Sequence, residues 1–230
     1  MSYLPSLFKR RQVWLPTFWG LIVFTVVIAT VFNVMFRNIA FFLAQNQPIN
    51  GQYLVVEGWL AEPALLTAIT QFKQGDYQLL ITTGGPDNRH VNPIHATYAE
   101  QASAFLVKHG INTDQLITIP TPASAQDRTY LSAVKVRDWL SANKSSHASI
   151  DLYSGDVHAR RSYSLYKMAF ADKANIGIIA AEPNNFSLKH WWRTSEGAKS
   201  VLAETAGFIW INCCFSPGAY GSHQEKWGIY

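Results

Sequence analysis

The stretch IDLYSGDVHARRSY, residues 150–163, decides how the chain is read. A strand pattern, Ser149–Ser154, stops at Gly155-Asp156, and a segment of helical spacing carrying His158, Arg160 and Arg161 begins. In an open parallel α/β sheet, such strand-to-helix junctions form the ligand crevice, and the helix start offers unpaired N–H groups to an anion. His158 and Arg161, three apart, share a helix face, and Arg160 points off it. Asp is also a favoured N-cap, so Asp156 with a solvated first turn of arginines is the alternative reading of the same letters.

Working outward, strand-like and helix-like segments alternate. Before the stretch come a strand at Tyr53–Glu57, a helix punctuated by Pro63 and Gly75, and a strand at 77–83 closing on Gly84-Gly85. A polar loop with Asp87, Arg89 and His90 leads to Asn92-Pro93, which predicts a capped helix running to Gly110. A short strand at 116–119 follows, and Ser124-x-x-Asp127 resembles a capping box for a helix over 129–142. After the stretch, its helix is expected to reach residue 171, a strand occupies Asn175–Ala180, and one long helix closes the chain over 191–214. Five strands each followed by a helix predict an α/β, Rossmann-like, doubly wound parallel five-stranded sheet. With strand order 3-2-1-4-5, which right-handed crossovers permit, the winding reverses between the first and fourth strands. Glu57-Gly58 then lies beside Ser154-Gly155 and His158, and Thr83-Gly84-Gly85 forms the neighbouring wall.

Residues 12–36 carry no charge and are far more apolar than a soluble helix requires. As a helix, residues 17–36 would span roughly 30 Å, the thickness of a bilayer core. Trp14 and Trp19 lie near one end, where interfacial aromatics belong. The run exceeds a signal peptide's apolar core and no clear A-x-A site follows, so an uncleaved anchor is expected. Lys9-Arg10-Arg11 outweigh Arg37, which predicts a cytoplasmic N-terminus and a domain on the far side of the cell (inner) membrane. The expected organisation is a cytoplasmic tail at 1–11, a transmembrane anchor at 12–37, a linker at 38–52 containing the polar NQPINGQ, the domain at 53–215, and a tail at 216–230.

The net charge of +4 and a pI near 9.0 come from the anchor's flanks: the chain beyond them holds 15 basic and 15 acidic side chains. No basic face stands out, so no nucleic-acid partner is expected. The two cysteines are the vicinal Cys213-Cys214, and adjacent helical residues point apart, so no structural disulfide is expected. No metal-ligand spacing, GxGxxG, GxxxxGK[ST] or GxSxG occurs, which argues against a dinucleotide enzyme, a P-loop NTPase and an ordinary α/β-hydrolase. No cofactor can be named from the residues.

At these positions the chain resembles the YdcF/SanA/ElyC family, bacterial proteins built on a Rossmann-like domain of unknown function, several with an N-terminal anchor. His158-Ala-Arg-Arg161-Ser162 fits the family pattern after the fourth strand, Thr83-Gly84-Gly85 the glycine-rich end of the second, and Thr129 with Ala133 the third helix. The chain departs at Glu57-Gly58-Trp59, where many members have a glycine pair, and at Arg128, where asparagine is usual. The resemblance spans roughly Tyr53 to Trp210 and implies a place in the cell envelope, in cell-wall or lipid-carrier metabolism.

The leading expectation is an anchored enzyme or enzyme-like domain acting on a small anionic, phosphorylated or nucleotide-like metabolite. His158 would be acid or base, with Glu57 orienting it or serving as a second base. Arg161 and the amides around Gly84 and Gly85 would hold the anion, with Gly58, Thr83, Gly155 and Asp156 beside it; the resemblance adds Thr129. A binding module without turnover and a structural envelope module are the competing readings.

Overall fold

The computed structural model describes residues 14–87, 95–123, 128–143, 148–171 and 173–227. Contacts divide the chain into two units, separated between Asn38 and Ile39. In the first, helix α1 begins: it runs Phe18–Leu43, 26 residues that include an 18-residue stretch of mean hydropathy 2.2, long and apolar enough to cross a membrane. Its last turn, residues 39–43, belongs to the second unit, where Ala40 and Leu43 are buried with Val157, Trp191 and Val201.

The second unit is built on a five-stranded sheet. Strands β1 (Tyr53–Glu57), β2 (Leu79–Gly84), β3 (Leu116–Pro120), β4 (Ser149–Ser154) and β5 (Asn175–Ala180) are all parallel and ordered β3-β2-β1-β4-β5. Every residue of β1 is buried, because helices cover both faces of a parallel sheet. Val55, Ile81 and Leu152 pack with α4 (Arg128–Ala142) and α5 (Ala159–Phe170). Leu54, Leu80 and Tyr153, one residue out of phase, pack with α2 (Glu62–Gln74) and α3 (Tyr98–Lys108). The period of two therefore turns Glu57, Thr83 and Ser154, the strands' last or next-to-last residues, toward the α4 and α5 face.

Local chemistry fixes the ends of the helices. Pro63 sits in the first turn of α2. Helix α3 starts at Tyr98, where Thr97 and Glu100 form a reciprocal capping box, and not at Pro93 as expected. The expected Asn92-Pro93 cap, the Arg89 and His90 of the loop before it, and the Ser124–Asp127 capping box lie outside the described residues. The single closing helix expected over 191–214 is instead a 3₁₀ segment, Leu188–Arg193, and helix α6, Ser195–Cys213. The break falls at Thr194, whose side chain accepts from the Gly197 amide as N-cap.

Two segments outside the sheet are tied to it. Gln47 pairs antiparallel with Ile178, covering the free edge of β5, and the Ile49 and Gly51 amides donate to Asp151 at 2.8 and 2.9 Å. The Tyr77 hydroxyl donates to the same carboxyl, at 2.9 Å. At the other end, α7 (His223–Trp227) brings Glu225 onto the buried Arg137 of α4. Cys213 and Cys214 form a vicinal disulfide, contrary to expectation. The expectation assumed two helical residues, but Cys214 has left the helix, at φ −134° and ψ −18°, so the two side chains converge.

Candidate functional site

A cavity of about 420 Å³ opens at the carboxyl ends of β1 and β2, between α3, α4 and α6. Its floor is Glu57 and Thr83, partners in register on adjacent strands. Glu57 is 2% exposed, and each of its carboxyl oxygens accepts from a serine: Ser154 at 2.5 Å and Ser162 at 2.8 Å. Ser154 ends β4 and Ser162 is in the first turn of α5, so the strand-to-helix junction supplies both donors. Thr83 is 1% exposed, and its Oγ1 is buried with no hydrogen-bond partner among the described residues. Nearby, Tyr166 of α5 has its hydroxyl buried. Desolvation raises its pKa well above the ordinary tyrosine value, and the Glu57 charge adds to the shift.

One wall carries His158, the last residue of a 3₁₀ turn, Asp156–His158, leading into α5. Its Nδ1 lies 3.0 Å from Glu204 Oε1, and its Nε2 lies 3.5 Å from Thr129 Oγ1 on the cavity side. Trp59 meets the imidazole edge to face, with centroids 5.0 Å apart. Arg161 donates twice to Glu204, from Nε at 2.7 Å and Nη2 at 3.1 Å. Nη2 is also 2.9 Å from His158 Nδ1. Because guanidinium only donates, Nδ1 can accept from Arg161 or donate to Glu204 but not both. The carboxylate is the stronger partner, so Nδ1–H points to Glu204 and Nε2 is left to face the cavity. Burial works against the charge on Glu204, but the hydrogen bonds from His158 and Arg161 outweigh it and hold this carboxyl at about 2.

The structure thus brings Glu57, Thr83, Gly84, Gly85, Thr129 and His158 to one cavity. Arg161 is not among its lining residues: it shares a face with His158 as expected, but both its contacting nitrogens are turned to Glu204. Gly155 and Asp156 line a smaller hollow, about 180 Å³, on the other side of Trp59. Desolvation raises the Asp156 carboxyl above its usual range, and its side chain accepts from the Val157 amide. Gly58 is glycine for packing, since a Cβ there would lie 2.4 Å from the Tyr98 carbonyl oxygen. Gly155 likewise makes room for the Trp59 ring, which a Cβ would approach to 2.6 Å.

Sequence reasoning missed Glu204, Trp59, Tyr98 and the contribution of Arg128. Glu204 left a signal: it is a lone carboxylate in the apolar run VLAETAGFIW of α6. Arg128, at the first turn of α4, lines the cavity, is exposed, and has no partner among the described residues. Among the described residues, no cluster of three or more His, Cys, Asp or Glu is placed to hold a metal.

Fold and site together define a doubly wound parallel α/β domain with a carboxylate-backed histidine at the carboxyl ends of its strands, in a chain that also carries a helix able to cross a membrane. No family model, curated protein or solved structure matches the chain.

Proposed function

We propose that this is a single-pass envelope protein of the YdcF/SanA/ElyC kind whose cavity binds a phosphorylated or nucleotide-like metabolite and moves a proton on it. The observation that carries the reading is the Glu204–His158 pair, which leaves Nε2 directed at a cavity with a cationic rim. Nε2 takes a proton from a ligand or water O–H, Glu204 stabilises the resulting imidazolium, and the proton returns to the departing or product oxygen. Arg128 takes the anion-holding part expected of Arg161, helped by the N-terminal turn of α4, and Arg161 acts as a positioning residue that holds Glu204 against His158. Glu57 serves the ligand as a hydrogen-bond acceptor.

One observation favours the second reading, a binding module without turnover: both oxygens of Glu57 are already engaged by serines, so it is poorly free to act as a second base. The N-terminus faces the cytoplasm and the domain lies across the inner membrane, a topology supported by Lys9-Arg10-Arg11 preceding the apolar helix.

The test uses the full-length chain in detergent with a panel of phosphate esters, alongside His158→Gln and Arg128→Ala. Turnover lost in His158→Gln with ligand-induced stabilisation retained supports the enzyme. Stabilisation without turnover in any protein supports the binding module, and neither response to any ester overturns both.

A further inference from the structure

The cavity floor asks for a particular kind of ligand. Thr83 Oγ1 is buried and unpartnered among the described residues, and Thr83 lines the cavity. A hydroxyl stripped of water with nothing to bond is costly, so the natural partner is a ligand group that reaches it. Beside it, Glu57 receives hydrogen bonds, among the described residues, only from the uncharged hydroxyls of Ser154 and Ser162, and carboxyl oxygens have capacity for further donors. No described cation touches Glu57, so an anionic group placed on this floor would meet a carboxyl without compensation. The cation is at the rim, on Arg128, next to the N-terminal turn of α4 with Thr129. The cavity therefore has an anion-accepting mouth and a floor that accepts hydrogen bonds, with the rings of Trp59 and Tyr98 contributing to its walls.

Building on the proposed phosphate-binding reading, we infer that the ligand is a glycosyl or ribosyl phosphate, with its phosphate at Arg128 and its sugar hydroxyls at Glu57 and Thr83, and that Thr83 is the residue that selects hydroxyl-bearing over alkyl phosphates. An alkyl chain on this floor would bury the Glu57 and Thr83 oxygens against carbon. A site built to bond a hydroxyl discriminates strongly against a ligand that lacks it. The same chemistry is offered by a free sugar phosphate and by a sugar phosphate esterified to a membrane lipid.

The experiment is calorimetry on the full-length chain in detergent micelles with four probes: inorganic phosphate, glucose 1-phosphate, farnesyl phosphate, and farnesyl phosphoglucose. The expected result is that glucose 1-phosphate binds at least tenfold more tightly than inorganic phosphate or farnesyl phosphate. Thr83→Val should weaken glucose 1-phosphate about tenfold without changing inorganic phosphate, Thr83→Ser should restore most of the loss, and Arg128→Ala should weaken both. Tighter binding of farnesyl phosphoglucose than of glucose 1-phosphate assigns the lipid-linked source, and the reverse assigns the free one. The unliganded Thr83→Val protein should melt at or above the wild-type temperature, because it loses a hydroxyl with no partner. A clear drop in its melting temperature would mean that the hydroxyl is satisfied within the folded protein, and would overturn the inference. So would farnesyl phosphate binding as tightly as glucose 1-phosphate, which would leave the phosphate-binding reading standing. Failure of all four probes to bind would remove both.

Discussion

Burial alone would raise the Glu204 carboxyl, yet the donors from His158 and Arg161 hold it at about 2, well below the usual value for glutamate. The linkage has a definite sign. A carboxylate depressed by folding adds stability that is fully present above the unfolded pKa, near 4.5, and is lost as pH falls toward the folded value. We expect the unfolding free energy of the wild type minus that of Glu204→Gln to shrink between about pH 5 and about pH 2, by roughly 3 kcal/mol at most. Urea titrations of both proteins across that range measure it, and a difference that grows on acidification would contradict the assignment. Ala171 offers a test of backbone strain alone. It ends α5 with φ at +45° and ψ at +50°, a left-handed conformation that favours glycine. Ala171→Gly should raise stability by about 1 kcal/mol, read as a higher urea midpoint at unchanged slope.

At the scale of elements, the C-terminal segment is a working part of the fold. Arg137 of α4 is 3% exposed, and its guanidinium donates to both oxygens of Glu225 and to the Ala169 carbonyl. Tyr130 and the Gly221 amide complete the shell around that carboxylate. Glu225→Ala would leave the buried guanidinium with Asp138 as its remaining carboxylate partner, at 2.8 Å, and we expect a loss of about 1.5–3 kcal/mol. Denaturant unfolding checks this, with Lys199→Ala on α6 as a surface control expected to stay within about 0.5 kcal/mol. None of this is visible in the letters of residues 216–230, which read as a tail, because a contact between residues 88 apart leaves no local pattern. Element identity was legible where one periodicity ran unbroken, as in the strands Tyr53–Glu57, Ser149–Ser154 and Asn175–Ala180. It was less legible at Thr194, where a cap inside an apolar run splits one expected helix into two elements.

For the whole molecule, the topology was legible because alternating strands and helices with right-handed crossovers leave few arrangements. The site was legible in part. His158, Glu57 and Thr83 follow from the switch point between β1 and β4, whereas Glu204 arrives from a helix that no such rule places. Arg160, off the face shared by His158 and Arg161, donates to the Phe42 carbonyl, and its guanidinium lies over the Phe42 ring at 3.9 Å. It caps the C-terminal end of α1, where a cation suits the helix dipole. Protease added to intact spheroplasts should digest the domain, as the proposed topology requires. Digestion only after lysis would reverse the orientation.

The placement of β1 has a further consequence for how the chain is made. Glu57 at its end and the Ser154 that donates to it are 97 residues apart, and β1 pairs with β4 along almost its whole length. At translation rates of about 5–20 residues per second, a nascent β1 waits roughly 5–20 s before its second neighbour is synthesised. Throughout that interval one edge of an apolar strand is open to pairing with the wrong partner. Helix α5, which supplies Ser162 and follows His158, is later still, and Glu204 follows it. Ribosome-bound chains arrested before residue 149 should therefore be captured by holdase chaperones. A chain released with α6 complete should not be, since only then do the two carboxyls of the site both have their partners.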